Sequence, residues 1–401
     1  MKVLLLAALF PPNVVGGAEM SAFNTAQLLS SKGHDVSVLT SAKNAQQVVK
    51  GEPHDKLEKV RIWRALMPRP YPMYEAQQAP STLKPLWHLQ DHFDPRNKSV
   101  LDEVLNEVNP DVVFVHILQG LGYNLIESLS DRNLPTIFIL HDLSLVCFRM
   151  AMYRNGRDCE QLCKTCKLSY KWKSGLMSKM SRYAFSSPSQ ANLDKVLEYY
   201  PVPPGGAHSV LNPNTYPLPR NVRIPSEKFR LSFVGRIHES KGIDFLLTIC
   251  EILSKTYQIH IDILGDGPLL PALKSKYGSS SWCTFHGFIS QQEIADIMNQ
   301  SDILCIPSMW RENSPGVVVH ALTIGLPVLG SNRGGIPELV KDGITGRLLP
   351  TGDFNAWLAE LERLINNPSD IATWRAHAID GSSQYNVDNI YKKIINIVDN
   401  L

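Results

Sequence analysis

The sequence lacks a long hydrophobic run. None of its stretches approaches the ~20 consecutive apolar residues needed to span a bilayer. The apolar run of residues 3–10 is short, ends in Pro11-Pro12 and has no small-residue cleavage site behind it. We therefore interpret this run as a buried strand of a parallel sheet rather than as a signal peptide. These features predict a cytoplasmic protein.

The sequence also lacks a strong charge and a disulfide framework. Its 40 basic and 38 acidic residues leave a net charge of only +2, so no overall field attracts nucleic acid, and we predict no nucleic-acid partner. Seven cysteines among 401 residues are too few for a disulfide scaffold. With 44% apolar and 19% charged residues the chain is not disordered, and at roughly 150 residues per domain its length predicts two or three domains.

Short apolar runs alternate with helical patterns in both halves of the chain, which predicts parallel sheets covered by helices. The predicted strands are residues 3–10, 35–40, 112–116, 136–140, 230–234, 258–264, 284–286, 303–307 and 327–330. The predicted helices include residues 18–31, 243–253, 269–276, 291–300 and 317–324. The fold class is therefore α/β, with two Rossmann-like doubly wound domains that face each other across a cleft.

The stretch 199–225, rich in Pro, Gly and Asn, separates the two halves. We predict an N-terminal domain over residues 1–205, a linker over 206–228 and a C-terminal domain over 229–385. A last helix over 386–401 could pack back on the N-terminal domain, because Ile390, Ile394 and Val398 share one face. Residues 43–97 are interpreted as an irregular excursion between two strands.

Glycines and charges follow several predicted strands. Gly16-Gly17 opens the first helix, where backbone N–H groups could approach a phosphate, although a plain tight turn is as good an explanation. In the second half, Arg236 and Lys241 follow the first strand, and two cations there suit a diphosphate unless they are solvated surface charges. Open α/β sheets bind ligands at this edge, beyond the carboxyl ends of their strands.

The densest stretch surrounds Glu312, which precedes a predicted helix. The helix dipole favours an anion at that position. A carboxylate there can also accept hydrogen bonds from neighbouring hydroxyls, as in sugar recognition.

Taken together, these motifs resemble the retaining glycosyltransferases of the GT-B fold, in the large family that includes sucrose synthase and many bacterial cell-envelope enzymes (glycosyl transferases group 1). The resemblance rests on motifs in the following order: Gly235-Arg236, Lys241-Gly242, Gly265-Asp266-Gly267-Pro268, Pro307-Ser308, Glu312-Asn313-Ser314-Pro315, Gly325-Leu326-Pro327-Val328 and Gly334-Gly335 with Pro337-Glu338. The first half matches more loosely, through Gly16-Gly17, His116 and Leu140-His141-Asp142.

The resemblance implies a role for each matching residue. Arg236 and Lys241 would hold the diphosphate of a UDP- or GDP-sugar and stabilise its developing charge, while Glu312 would contact the donor sugar. His141 would lie near the reacting sugar carbon with Asp142 orienting it, unless it is simply a satisfied histidine at a strand end. The remaining donor-binding residues would be Gly16, Gly17, Gly265, Asp266, Phe288, Ile289, Asn313, Ser314, Pro315, Gly316 and His320.

The implied reaction is retaining transfer of a sugar to a hydroxyl of a glycan, a lipid-linked or a small-molecule acceptor, in bacterial polysaccharide or glycoconjugate biosynthesis. One residue departs from the family pattern, because His320 stands where a second glutamate usually grips the nucleotide ribose. This departure keeps a non-catalytic partner subunit open as an alternative, and a nucleotide-sugar epimerase of the same fold is another. No D-x-D motif occurs, so no metal cofactor is predicted for catalysis.

Two further clusters follow His141. Cys147, Cys159, Cys163 and Cys166 have a spacing that fits a structural zinc site, although buried or free thiols are the alternative. After them, lysines interleave with aromatic residues over residues 164–183. Such a surface predicts either a solvated helix face or peripheral contact with the inner face of an anionic membrane.

Overall fold

A computed structural model describes residues 1–76 and 78–401 of the chain. The chain divides into two compact units. The first unit comprises Met1–Met152, Cys159–Asn214 and Val387–Leu401. The second unit comprises Tyr153–Asp158 and Thr215–Asn386.

Both units are α/β, as predicted. The strands are β1 (Lys2–Ala7), β2 (Asp35–Ser41), β3 (Val49–His54), β4 (Leu57–Ala65), β5 (Val112–Ile117), β6 (Thr136–Ile139), β7 (Tyr153–Arg154), β8 (Arg157–Asp158), β9 (Tyr183–Ser187), β10 (Ala207–Ser209), β11 (Phe229–Val234), β12 (Ile259–Leu264), β13 (Cys283–Gly287), β14 (Ile303–Ile306), β15 (Val328–Ser331) and β16 (Gly346–Leu349). The α-helices are α1 (Gly17–Ser31), α2 (Lys84–Phe93), α3 (Pro95–Val108), α4 (Leu125–Asp131), α5 (Lys164–Met177), α6 (Gln190–Leu197), α7 (Ile243–Leu253), α8 (Leu270–Tyr277), α9 (Gln291–Gln300), α10 (Gly316–Thr323), α11 (Ile336–Leu339), α12 (Phe354–Asn366), α13 (Ser369–Asp380) and α14 (Val387–Asp399).

The sheet of the first unit has the strand order β10-β9-β6-β5-β1-β2-β4-β3. Its central strand β1 is the apolar run at the start of the chain, and Val3 pairs in parallel with Val36 of β2 and Val112 of β5. The side chains from Val3 to Leu6 are completely buried. A strand covered on both faces has no polar side to alternate with, which explains its continuous apolar sequence.

The excursion over residues 43–97 is more regular than the sequence predicts. β3 and β4 form an antiparallel hairpin, and β4 also pairs in parallel with β2, so the hairpin extends the sheet. α2 follows, and α3 begins at Pro95. Apolar runs do not predict the hairpin, because β3 is an edge strand with several exposed residues and a proline at position 53.

The sheet of the second unit is entirely parallel and has the order β13-β12-β11-β14-β15-β16. The strand order therefore reverses between β11 and β14, which lie side by side although the chain forms two other strands between them. The loops that leave such neighbours diverge to opposite faces of the sheet and open a crevice at its carboxyl edge. The loop after β11 leads to Lys241, and the loop after β14 contains Glu312.

The last helix, α14, belongs to the first unit. Ile390, Ile394 and Ile397 are buried in a core cluster shared with β1 and α1, while Val398 is only partly buried beside it. Lys32 at the end of α1 also forms an ion pair with Asp388, with 2.7 Å between Nζ and Oδ1. Within the described residues, the structure contains no helix with the length and apolar character required to cross a membrane.

Candidate functional site

Two loops of the second unit meet at Gly242. This residue has a φ of 71°, and a Cβ on it would lie 2.0 Å from the carbonyl oxygen of Pro307. Only glycine fits both this left-handed backbone and this close approach. The backbone N–H of Met309 also donates to the carbonyl of Ser240 at 2.8 Å. The loop that carries Lys241 is thereby fixed against the loop that carries Glu312.

Lys241 and Glu312 form an ion pair. Lys241 Nζ lies 2.7 Å from Glu312 Oε1 and 2.9 Å from Oε2. The carboxylate also accepts hydrogen bonds from Ser308 Oγ at 2.6 Å and from Trp310 Nε1 at 2.9 Å. Sequence reasoning grouped Lys241 with a diphosphate and Glu312 with a sugar, and it missed that they contact each other directly.

The Glu312 carboxylate stays charged although the residue is only 7% exposed. Burial alone would raise its pKa, but the charge of Lys241 and the hydrogen bonds from Lys241, Ser308 and Trp310 outweigh this effect and hold the pKa below its ordinary value. The backbone of Glu312 is also held in place, because Gly335 N–H donates to the Glu312 carbonyl at 2.9 Å. The site thus contains a fixed carboxylate and a fixed ammonium group side by side.

Three glycine-containing turns line the same sheet edge. Gly235 N–H donates to the Leu264 carbonyl, and Gly265 N–H donates to the Gly287 carbonyl at 2.8 Å, which ties together the ends of β11, β12 and β13. A Cβ on Gly265 would lie 1.9 Å from the Gly235 carbonyl oxygen. The turns predicted from sequence to bind one ligand are therefore neighbours in space.

The side chains on these turns point largely to solvent. Arg236 and Asp266 are exposed, and Asp266 Oδ1 accepts a hydrogen bond from Gly267 N–H at 2.6 Å. Phe288 is 89% exposed, which is unusual for an aromatic side chain, while Ile289 is partly buried. An exposed ring at a strand end is a ready stacking surface for a planar ligand group.

His320 lies on α10, which begins at the last of the partly buried residues 313–316. It is 1% exposed, its Nε2 is 3.0 Å from the Pro217 carbonyl oxygen, and its ring stacks on Tyr216 with 4.8 Å between centroids. Burial lowers the pKa of this imidazole. The structure therefore places one ring nitrogen of His320 against the first residues of the Thr215–Asn386 segment of the second unit.

In the first unit, Gly16 precedes α1 and Gly17 begins it. The N–H of Gly16 donates to Glu19 Oε2 at 2.8 Å. An anionic ligand at this helix start would have to compete with that carboxylate for the amide.

His141 follows β6 and contacts His116 at the end of β5. The distance between His116 Nδ1 and His141 Nε2 is 2.9 Å, so one imidazole donates to the other. Burial lowers the pKa of His141 to about 4 and that of His116 well below its ordinary value, so the pair is neutral near pH 7. Asp142 Oδ1 accepts a hydrogen bond from Ser144 N–H at 2.7 Å, and its orienting role toward His141 stays a prediction. The partnership with His116 could not be read from sequence, because it depends on β5 and β6 being adjacent.

The structure does not support the zinc prediction for Cys147, Cys159, Cys163 and Cys166. Cys166 Sγ lies 3.7 Å from Cys147 Sγ, but Cys163 is exposed at the start of α5, with its Sγ 3.2 Å from Thr165 Oγ1, and Cys159 is only half-buried. Over residues 1–76 and 78–401, no three His, Cys, Asp or Glu side chains gather into a group that could hold a metal ion. The thiols of Cys163 and Cys166 also interact, but these contacts stop short of a group that could hold a metal ion.

Solved structures of other proteins resemble this fold over its whole length. The Anabaena protein HepE, crystallised in complex with UDP, covers 100% of both chains with a TM-score of 0.70 at 16% identity. Sucrose-phosphate synthase from Thermosynechococcus elongatus covers 98% of this chain and 97% of its own, with a TM-score of 0.73 at 17% identity. The fold is therefore that of the GT-B glycosyltransferases, as the motifs predict.

Family models identify the chain more closely. Residues 15–213 match the model described as Glycosyltransferase Family 4, and residues 228–367 match Glycosyl transferases group 1. The chain belongs to the glycosyltransferases that these two models describe. It is 30% identical over 185 residues to the amylovoran biosynthesis glycosyltransferase AmsK of Erwinia amylovora, a match that spans 44% of this chain and 46% of AmsK.

Proposed function

We propose that this chain transfers a sugar from a UDP- or GDP-sugar to an acceptor hydroxyl with retention of the anomeric configuration. The observation that carries the proposal is the Lys241–Glu312 pair at the point where the strand order reverses. A ligand at this point meets a cation suited to phosphate and a carboxylate suited to sugar hydroxyls.

In the proposed reaction the second unit stabilises the departing nucleoside diphosphate. Lys241 and the exposed Arg236 would neutralise charge as the bond between sugar and phosphate breaks. Glu312, held by three side-chain donors, would fix the donor sugar through its hydroxyls. Phe288 would stack on the base, and Gly265, Asp266, Ile289 and residues 313–316 would border the nucleotide.

The first unit would contribute His141 near the reacting carbon. Its pKa of about 4 keeps the ring uncharged at neutral pH, so it would act as a neutral hydrogen-bonding group rather than as a cation. The acceptor would be a glycan, a lipid-linked or a small-molecule hydroxyl. AmsK is named for amylovoran biosynthesis, and we accordingly propose that this chain also acts in polysaccharide biosynthesis.

We further propose that the reaction takes place in the cytoplasm, on the inner face of the membrane. Seven cysteines among 401 residues are too few for a disulfide framework, which suits a reducing compartment.

Release of nucleoside diphosphate from a panel of UDP- and GDP-sugars tests the proposal. Wild-type protein should cleave at least one donor slowly in the absence of acceptor, and NMR of the released sugar should show the donor's anomeric configuration. Glu312→Gln and Lys241→Met should each lower the rate about 100-fold or more, the effect of losing a group that stabilises developing charge. Lys341→Met, at an exposed lysine of the same unit, is the matched control and should leave the rate unchanged.

Three outcomes would contradict the proposal. Equal rates for wild type and both site variants would show that the pair takes no part in the reaction. Inversion of configuration would overturn the stereochemical part. Absence of both binding and cleavage for the whole panel would favour a non-catalytic partner subunit, and calorimetry with each donor measures that binding directly.

A further inference from the structure

The outward face of α2 is apolar. Leu86 is 47% exposed, Leu89 is 57% exposed and Phe93 is 51% exposed. Their spacing of three and four residues puts them on one side of the helix. Leu83, immediately before α2, is also exposed and extends the row. The opposite side of α2 is buried through Trp87 and Asp91, so the helix is held in place while its apolar row faces solvent.

α5 continues this apolar surface. Phe93 packs edge-on against Trp172 of α5 with 4.7 Å between ring centroids. His92 Nε2 lies 2.8 Å from Ser169 Oγ, which fixes the two helices side by side. Leu168 is one turn before Trp172 and is 74% exposed. The exposed residues Leu86, Leu89, Phe93 and Leu168, joined through Trp172, are called the α2–α5 face below.

The exposed charged side chains on α2 and α5 themselves are all basic. Lys164, Lys167 and Lys171 are exposed on α5, which contains no acidic residue. The only acid of α2 is Asp91, whose side chain is completely buried and forms an ion pair with Arg69 at 2.8 Å. None of the ion pairs found in the described part of the chain uses these three exposed lysines.

We propose that the α2–α5 face docks the protein on an anionic lipid bilayer. Exposed leucine and phenylalanine side chains gain free energy when they enter the boundary between headgroups and acyl chains. Lysines beside them are attracted by anionic headgroups and can keep their ammonium groups in water while their stems lie along the lipid. Charge decides the occupant, because a second copy of the same face would bring lysines against lysines, whereas an anionic surface complements them.

The proposal rests on the membrane location proposed above and names the surface responsible for it, but it does not depend on sugar transfer. A flotation assay with the full chain tests it, using vesicles of phosphatidylcholine alone and vesicles that also contain phosphatidylglycerol. Wild-type protein should float with the phosphatidylglycerol vesicles, bind phosphatidylcholine weakly and be released by high salt.

Two variants separate the apolar and the charged contributions. Lys167→Gln/Lys171→Gln should weaken vesicle binding about 30-fold, at roughly fivefold for each lysine near an anionic surface. Leu86→Ser/Leu89→Ser should weaken it by a similar factor of about 30, if half of each side chain's full burial is gained on insertion. The matched controls are Lys392→Gln/Lys393→Gln on α14 and Val222→Ser, whose side chains are exposed elsewhere, and both should bind as wild type.

Several results would overturn the proposal. Binding that is indifferent to phosphatidylglycerol would exclude the charged contribution, and equal binding by wild type and Leu86→Ser/Leu89→Ser would exclude the apolar one. Light scattering that shows a dimer dispersed by the leucine variant would assign the face to a second copy instead. Flotation needs no nucleotide-sugar and cleavage of a soluble donor needs no vesicle, so failure of either proposal leaves the other measurable.

Discussion

The ion pair between Lys241 and Glu312 offers the sharpest test of the site's electrostatics. Lys241→Met removes the cation and leaves the buried carboxylate with Ser308 and Trp310 as its side-chain donors. Breaking a fully buried pair costs about 3–5 kcal/mol. Because the side chain of Lys241 is 24% exposed and two neutral donors remain, we expect a loss of about 2 kcal/mol.

Glu312→Gln should cost less. The amide keeps the shape and one acceptor, and the ammonium group of Lys241 can still reach water, so we expect about 1 kcal/mol. The double variant contains no unpaired buried charge and should also lose only about 1 kcal/mol, which gives a coupling free energy of about 2 kcal/mol. Urea unfolding followed by tryptophan fluorescence measures each value, and single effects that add within about 0.5 kcal/mol would refute the pairing.

The same variants have a defined pH dependence. The folded pKa of Glu312 lies below its ordinary value of 4.5, so the stabilisation is complete above that pH and is lost as the pH falls through the lowered pKa. In Lys241→Met the strongest factor that lowers this pKa is gone. The buried carboxylate of the variant should therefore take up a proton at a higher pH than that of the wild type. From that pH downward, the difference in unfolding free energy between the variant and the wild type should shrink.

Three other substitutions test other parts of the structure. His320→Glu should destabilise the fold by about 2 kcal/mol, because a buried carboxylate would face the Pro217 carbonyl; a higher melting temperature by differential scanning fluorimetry would contradict this. His116→Phe should lower the transfer rate about tenfold, because it loses one hydrogen bond to His141. His116→Asn can still form such a bond and should keep most of the wild-type rate. Equal transfer rates for the two variants would show that His116 is not a positioning residue. Arg69→Met should cost about 3–5 kcal/mol in urea unfolding against about 0.5 kcal/mol for the exposed control Arg132→Met. That loss should be larger above than below pH 6, because burial raises the pKa of Asp91 to about 6 and only its charged form needs the arginine; a loss independent of pH would contradict this.

The sequence predicts the elements that are rich in apolar residues. β1 is apolar at five of its six positions and α7 at eight of its eleven, and both are found where the pattern puts them. Glycine positions are predictive for a similar reason, because Gly242 and Gly265 are required by close backbone contacts that no other residue allows. The same contacts bring the glycine-containing turns of the second unit together at the edge of its sheet.

Contacts that depend on strand order could not be predicted. Lys241 and Glu312 are 71 residues apart and meet because β11 and β14 are adjacent. The contact between His116 and His141 depends in the same way on β5 and β6. The zinc site predicted for the four cysteines depends likewise on how the chain folds, because Cys163 is exposed just before α5 whereas Cys166 is buried within it.

The division of the chain has a consequence for synthesis. The second unit is complete once Asn386 has been made, whereas the first unit still awaits Val387–Leu401. Until then the apolar surface of β1 and α1 that receives Ile390, Ile394 and Ile397 has no cover. The unit that the ribosome begins first is thus the one that is finished last, and a chain interrupted before residue 387 would leave an apolar surface open to aggregation.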